Sequence, residues 1–318
     1  MKFDRILFPT DFSEHSLAVK TEVEMLARKF GSEVTLLHVF EIPATWCMAG
    51  EASFVGGGCL TQLMNSAYER LKNFALDLPK EQVDRVFAEG SPAWHIANWA
   101  NTHDTDLIMM GSHGHGRLHH VLIGSVTARV MHDVNCPVWT DCNLSSQEPR
   151  TTGIRNILCA LELDSEAAPL LRFTSELARD MGASVRLVHS VPELQTRPEK
   201  YFDFNLHAYM MDSARVELAK LQRESGTDFP VSVEGTALPD AVAETAHIWG
   251  ADLVVIGRGR AQGTFGELRT RAYEVIRRSA CPVLSYSTQP ARISSSCIAV
   301  HHDQYATAGQ LLTDCPTF

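Results

Sequence analysis

The chain has 318 residues, 45% hydrophobic and 21% charged, a composition typical of a soluble globular protein with about two domains. A net charge of −10 and a pI near 5.8 argue against the basic face that nucleic-acid binding needs, so neither DNA nor RNA is an expected partner. No apolar run reaches the roughly 18 residues of a membrane span, and the N-terminus shows no charged-then-apolar leader. We therefore expect no membrane association and a cytoplasmic location.

An internal repeat divides the chain into two halves. Four pairs of segments align in the same order: residues 4–11 (DRILFPTD) with 155–162 (RNILCALE), 34–40 (VTLLHVF) with 185–191 (VRLVHSV), 106–111 (DLIMMG) with 252–257 (DLVVIG), and 136–138 (CPV) with 281–283 (CPV). The repeat predicts two tandem homologous domains, 1–145 and 153–288, joined by a polar linker at 143–152. Residues 289–318 lie outside the repeat and are a tail without an assigned function.

Short runs rich in Val, Ile and Leu alternate with segments of helical periodicity in both halves. This alternation predicts an α/β fold made of two tandem open, parallel, five-stranded Rossmann-like sheets with helices on both faces. In the first half we expect strands near 4–9, 33–40, 84–88, 106–110 and 137–141, and helices near 13–30, 60–78, 92–102 and 124–134. Strands of the second half are expected near 154–161, 184–191, 230–234, 252–256 and 282–286.

Residues 49–62 form a low-charge stretch with three consecutive glycines, Gly56 to Gly58. Its position after the second strand predicts a mobile insertion. Stretches of this kind are more often connectors than lids.

The most informative motif is the segment 110–125, MGSHGHGRLHHVLIGS. Gly111, Gly114, Gly124 and Ser125 stand at the spacing G-x2-G-x9-G-S directly after an apolar run. Glycine lets the backbone approach an anion closely, and a helix that begins at Gly124 and Ser125 directs free N–H groups and its positive dipole end outwards. The motif matches neither the Walker pattern nor the dinucleotide fingerprint. It predicts a phosphate cradle, although a few glycines taken alone are also ordinary turn chemistry.

Three strand tips converge on this loop, because ligands of open parallel sheets lie beyond the carboxyl ends of the strands. The first tip is Pro9, Thr10 and Asp11, the second includes Val39, and the third begins at Gly111. The Asp11 carboxylate suits ribose hydroxyls or a Mg²⁺ ion. The alternative is that the segment from Asp11 to Ser13 is the N-cap of the following helix.

The opening P-T-D-F-S-E-H-S (residues 9–16) and the glycine loop, with their flanks, resemble the universal stress protein family over about residues 1–288. The resemblance implies a regulatory, stress-response protein that binds ATP, or ADP or AMP, with Mg²⁺ as an accompanying ion. It implies that Asp11 contacts the ribose or metal and that the Val39 backbone contacts the adenine. The residues implied around the phosphates are Gly111, His113, Gly114, Gly124, Ser125 and Val126.

In that family, subunits or tandem domains pair through their last strands. Val138 and Val283 follow the two matching prolines at the corresponding place. The resemblance therefore implies that the two domains pair with each other inside one chain, with a homodimer as a further expectation. A regulatory protein partner is also expected, but no residue identifies it.

The second half departs from the pattern at the proposed site. Arg269 and Thr270 replace the Gly124–Ser125 pair, and Glu162 replaces Asp11. We therefore expect one nucleotide site, in the first domain. Arginines at 258, 260 and 269 suggest either a grip on some other anion or, as the simpler interpretation, a solvated basic loop.

Metal and catalytic sites are not predicted. His113, His115, His119 and His120 crowd the glycine loop without a neighbouring carboxylate or cysteine, so they indicate a polar lid, and Arg117 is the better phosphate partner. The eight cysteines have no C-x2-C spacing and are expected to be reduced, packed thiols. No G-x-S-x-G or H-E-x-x-H motif occurs. Besides a binding protein, a slow Mg²⁺-dependent ATPase and a nucleotide-free interaction scaffold remain as alternatives.

His38 and His189 occupy matching positions on the second strand of each half. Recurrence in both halves, including the half without an intact loop, favours a shared packing or interface role over catalysis.

Overall fold

The computed structural model describes residues 3–42, 56–113, 123–141, 153–191, 204–258 and 267–287. Within these ranges each repeat has five strands and four helices in alternation. The first repeat contains β1 (Arg5–Pro9), α1 (Glu14–Phe30), β2 (Glu33–Phe40), α2 (Gly56–Lys72), β3 (Val83–Glu89), α3 (Pro92–Thr102), β4 (Leu107–Gly111), α4 (Ser125–Asp133) and β5 (Val138–Asp141). The second contains β6 (Asn156–Ala160), α5 (Ala167–Met181), β7 (Ser184–Ser190), α6 (Phe204–Ser225), β8 (Val231–Glu234), α7 (Leu238–Trp249), β9 (Leu253–Gly257), α8 (Glu267–Arg278) and β10 (Val283–Tyr286).

The strands form a ten-stranded sheet in the order β3-β2-β1-β4-β5-β10-β9-β6-β7-β8. Neighbours within each repeat are parallel, while β5 and β10 are antiparallel and join the repeats. The predicted pair of five-stranded parallel sheets is therefore confirmed. The strand order reverses between β1 and β4, so the predicted switch point lies at the tips of these two strands.

The junction of the repeats continues both hydrophobic cores. Leu284 pairs with Trp139 across it, and both are buried in the core on the face covered by α1, α2, α5 and α6. Val138 and Val283 belong to the core on the opposite face, beneath α3, α4, α7 and α8. This division follows from the alternation of side chains along each strand.

One predicted element differs from the observed structure. Helix α2 begins at Gly56 and ends at Lys72, whereas the sequence indicated a loop to residue 62 and a helix to residue 78. Asn73 Nδ2 donates to the Glu69 carbonyl at 2.8 Å, and the chain then leaves the helix so that Phe74 packs against Phe8. The linker 143–152, the tail 289–318 and residues 49–55 lie outside the described residues.

None of the helices in the described ranges is long and apolar enough to cross a membrane.

Candidate functional site

The turn between β1 and α1 is built by side chains that bind the local backbone. Thr10 Oγ1 accepts from the Phe12 N–H at 3.0 Å, and Phe12 has a left-handed φ of 61°. Asp11 Oδ1 accepts from both the N–H and the Oγ of Ser13, at 3.0 and 2.6 Å. Ser13 is the N-cap of α1 and accepts from the Ser16 N–H at 3.3 Å. Within this segment Ser13 is therefore the N-cap, and the half-buried Asp11 carboxylate supports Ser13 through these two hydrogen bonds.

His38 fixes this turn from the neighbouring strand. Its Nδ1–H donates to the Thr10 carbonyl at 2.7 Å, and its ring lies 4.5 Å from that of Phe12. Burial lowers the pKa of His38, so the ring is neutral near pH 7. His189 makes the equivalent bond to the Leu161 carbonyl, also at 2.7 Å. The two histidines thus share the packing role expected for them.

Position 111, at the tip of β4, has no room for a side chain. A Cβ atom on Gly111 would lie 2.9 Å from the His15 carbonyl carbon and 3.0 Å from its oxygen, well inside normal carbon contact distance. The β4 tip and the first turn of α1 therefore touch through their backbones. The chain continues through Ser112, whose Oγ is 2.8 Å from His113 Nδ1.

Helix α4 begins against this tip. The Gly124 N–H donates to the Ser112 carbonyl at 2.8 Å, and Thr127 Oγ1 donates to the Gly111 carbonyl at 3.0 Å. A Cβ atom on Gly124 would lie 3.1 Å from the Ser112 oxygen. The first amides of a helix lack intrahelical acceptors, so the amides after Gly124 have no acceptor within α4 itself.

The structure places the predicted residues in two roles. Pro9, Thr10 and Gly111 are buried and shape the site, while Asp11, Val39, His113, Gly124 and Val126 are half-buried and Ser125 is exposed. Val39 lies on β2, two residues beyond Leu37, where the pairing with β1 ends, and β1 separates this strand from β4 and the cradle. Gly114, Arg117, His115, His119 and His120 lie outside the described residues.

Four contributing residues were missed by sequence reasoning. His15, Ser112 and Thr127 line the contact between β4, α1 and α4, and the Arg70 guanidinium lies 4.4 Å from the ring centre of Phe12. The glycine spacing pointed to the loop but not to its neighbours, since these contacts join segments distant in sequence. Arg70 places an exposed positive charge beside the β1 tip.

A metal site built from protein alone is not found in the part of the chain that the structure describes, where no group of three His, Cys, Asp or Glu side chains is arranged to hold a metal ion. A Mg²⁺ ion at Asp11 would therefore need phosphate oxygens and water as its other ligands, which is the usual arrangement for nucleotide-bound Mg²⁺. The residues present fit such an ion only together with a nucleotide.

The equivalent region of the second repeat has a different chemistry. Glu162 stands where Asp11 does and forms an ion pair of 3.5 Å with Arg271. Asp164 and Glu166 line the same depression. Among the described residues that line it, three carboxylates therefore accompany one guanidinium, that of Arg271. Helix α8 begins at Glu267, so the equivalents of Gly124 and Ser125 lie inside the helix instead of at its N-cap.

The position of Arg258 contradicts both interpretations of this arginine, as a ligand for an anion and as part of a solvated basic loop. It is half-buried with a buried Nε, and its guanidinium donates to the carbonyls of Met131, Asn135 and Cys136 in the first repeat. It is therefore neither part of a solvated loop nor placed to grip an anion. Arg260 and the Arg269 side chain lie outside the description.

Comparison with known proteins agrees with this architecture. The sequence pattern described as "Universal stress protein family" matches residues 2–140 and 153–286. Universal stress protein MJ0577 of Methanocaldococcus jannaschii is 31% identical over 150 residues, covering 43% of this chain and 93% of that relative. MJ0531 of the same organism is 29% identical over 137 residues, covering 43% and 80%.

A solved structure shares the two-repeat fold. The crystal structure of a universal stress protein from Archaeoglobus fulgidus aligns with 90% of this chain and 99% of its own, with a TM-score of 0.65 at 19% identity. That likeness concerns the fold, whereas the family pattern matches both repeats almost end to end. This chain therefore belongs to the universal stress protein family.

Proposed function

We propose that the first repeat binds one adenine nucleotide, ATP or its ADP or AMP relatives, and that the protein acts as a nucleotide-dependent regulatory binding protein. The observation that carries the proposal is the cradle between β4 and α4. Gly111 and Gly124 are the positions where a Cβ would meet backbone atoms at 2.9 and 3.1 Å. Glycine at both positions lets the β4 tip, α1 and the start of α4 come together closely, and a helix N-terminus placed at a strand tip suits a phosphate group.

In this proposal the nucleotide lies across the tips of three strands. Its phosphates meet the N–H groups of Ser125 and Val126 at the start of α4, beside Gly124, with Arg117 and Gly114 completing the loop. The ribose lies at Asp11, whose carboxylate also reaches a phosphate-bound Mg²⁺. The adenine lies beyond the β1 tip, against the backbone of Val39. Membership of the family supports this arrangement without identifying the ligand.

The second repeat is proposed to bind no nucleotide. Three carboxylates at its mouth, Glu162, Asp164 and Glu166, would repel a polyphosphate, since like charges in a cleft of low dielectric disfavour one another. Helix α8 starts two residues before Arg269, so its amides without intrahelical acceptors precede the counterparts of Ser125 and Val126.

Calorimetric titration of ATP, with and without Mg²⁺, tests the proposal on the full chain and on two variants. Gly124→Leu places a bulky side chain between the start of α4 and the β4 tip and should abolish binding, while Thr270→Leu, at the position of the second repeat that corresponds to Ser125, should leave the dissociation constant unchanged. Circular dichroism establishes that both variants fold. Undiminished affinity of Gly124→Leu would remove the phosphate cradle, and an equal loss in Thr270→Leu would mean that the second repeat also binds.

A further inference from the structure

Arg258 of the second repeat clamps the end of α4 in the first. Its Nη1 donates to the Met131 carbonyl at 2.9 Å, and its Nη2 donates to the carbonyls of Asn135 at 3.2 Å and Cys136 at 2.6 Å. Helix α4 ends at Asp133, so these acceptors belong to its last turn and to the turn that follows. A cation there satisfies carbonyls that the helix leaves open and complements the negative end of its dipole.

A second contact reaches the middle of the same helix. Tyr273 of α8 donates its hydroxyl to the Ala128 carbonyl at 3.1 Å. The Arg258 backbone is itself held to β10, because its N–H donates to the Tyr286 carbonyl at 2.8 Å. Since β10 pairs with β5, the Arg258 contact is tied to the sheet that joins the repeats.

Helix α4 depends on such anchors. It has nine residues, or about 13 Å at 1.5 Å per residue, and helices shorter than about 12 residues are marginal by themselves. Its N-terminus is tied to β4 by Gly124 and Thr127, and its C-terminus is tied to the other repeat by Arg258. The direction of the helix is therefore set from both domains.

The clamp remains charged under ordinary conditions. Burial lowers the pKa of the Arg258 guanidinium to about 10, which still leaves it protonated near pH 7. The neighbouring Cys136 thiol stays neutral, because burial raises its pKa to about 11. A fixed positive charge thus faces the helix end, and its planar fork of donors reaches three carbonyls at once, which the single ammonium group of a lysine cannot reproduce.

We propose that Arg258 is a positioning residue for the nucleotide site of the first repeat, supplied by a second repeat whose own cradle is lost. The inference rests on the proposed function above. Arg258 holds α4 in the orientation that directs the amides following Gly124 at the phosphates. Because binding free energies are reciprocal, nucleotide in the first repeat and docking of the second repeat on α4 then stabilise each other.

The test measures ATP affinity by calorimetry in Arg258→Met, Arg258→Lys and Tyr273→Phe. We expect the dissociation constant of Arg258→Met to rise about tenfold, the order expected for lost bonds to a charged donor, with Arg258→Lys in between and Tyr273→Phe changed less. The matched control is Thr140→Val, which removes the bond from Thr140 Oγ1 to the Val283 carbonyl across the same domain junction without touching α4. Its dissociation constant should match that of the unmodified chain.

Hydrogen exchange separates positioning from general destabilisation. Without nucleotide, Arg258→Met should speed amide exchange in α4 while leaving α3 unchanged, and Thr140→Val should spare α4. An Arg258→Met protein that loses stability but keeps full affinity would overturn the inference and leave the proposed function intact. If the unmodified chain bound no nucleotide, both would fail. Should Arg258→Met not fold, Arg258→Lys and Tyr273→Phe decide the matter by the same two readouts.

Discussion

Replacing Gly111 by alanine, with the same change at Gly257, tests the contact that shapes the site. The two glycines end β4 and β9 at matching places in the repeat. At Gly111 the added methyl would lie 2.9 to 3.0 Å from three atoms of His15. At Gly257 its nearest neighbour would be Leu170 Cδ2 at 3.6 Å, an ordinary contact. The same chemical change therefore meets rigid backbone in one repeat and open packing in the other.

Overpacking of this kind costs about 1 to 3 kcal/mol of unfolding free energy, because α1 must move away from β4. With a urea dependence of about 2 kcal/mol per molar, the midpoint of the transition of the first repeat should fall by roughly 0.5 to 1.5 M. Gly257→Ala should change stability by no more than about 0.5 kcal/mol. Equal effects in the two variants, or a Gly111→Ala protein as stable as the unmodified chain, would refute the close approach of β4 and α1.

Three further predictions concern titration, capping and thiol reactivity. Burial holds the pKa of His38 below the unfolded value of 6.5. As pH drops, the unfolded chain therefore protonates His38 before the folded protein does, and stability falls below about pH 6.5. His38→Asn should flatten the dependence of the unfolding free energy on pH between 7 and 5, and an unchanged slope would contradict the lowered pKa. Asp11→Asn keeps the acceptor for Ser13 and should preserve thermal stability while reducing the Mg²⁺ dependence of ATP affinity. Asp11→Ala should also lose about 0.5 to 1.5 kcal/mol for each hydrogen bond to Ser13; equal stability of the two variants would argue against these bonds. Burial raises the pKa of Cys159 to about 12, so iodoacetamide should label it only after unfolding, and rapid labelling of the native protein, located by peptide mapping, would contradict this burial.

Much of the fold follows from local pattern. The alternation of Val-rich and Leu-rich runs with amphipathic segments identified the ten strands, and the resemblance to the family implied the junction at Val138 and Val283. The end of α2 could not be predicted from the sequence, because the neighbours of Phe74 are compatible with a helix. Phe74 leaves the helix only to pack against Phe8. Tertiary packing decided that boundary, which no local propensity records.

In the candidate site, too, the sequence predicted features that depend on neighbouring residues and missed contacts between residues far apart in the chain. Glycine spacing marked Gly111 and Gly124, since each stands where the backbone makes a close approach, but it did not identify the segment that is approached. Arg258 was misjudged because its partners, the carbonyls of Met131, Asn135 and Cys136, are over 120 residues away. Backbone acceptors have no sequence signature, so an arginine in a glycine-rich loop cannot be distinguished from an anion ligand without the fold.

Native mass spectrometry of the freshly purified full chain, repeated after acid release of its ligands, tests the central claim most directly. The account predicts a mass excess equal to one adenine nucleotide per chain, recovered as ATP, ADP or AMP, and its rebinding to a single site after removal. Two nucleotides per chain would contradict the loss of the second cradle. A chain with no nucleotide and no capacity to take one up would contradict the first cradle and make the protein an interaction scaffold.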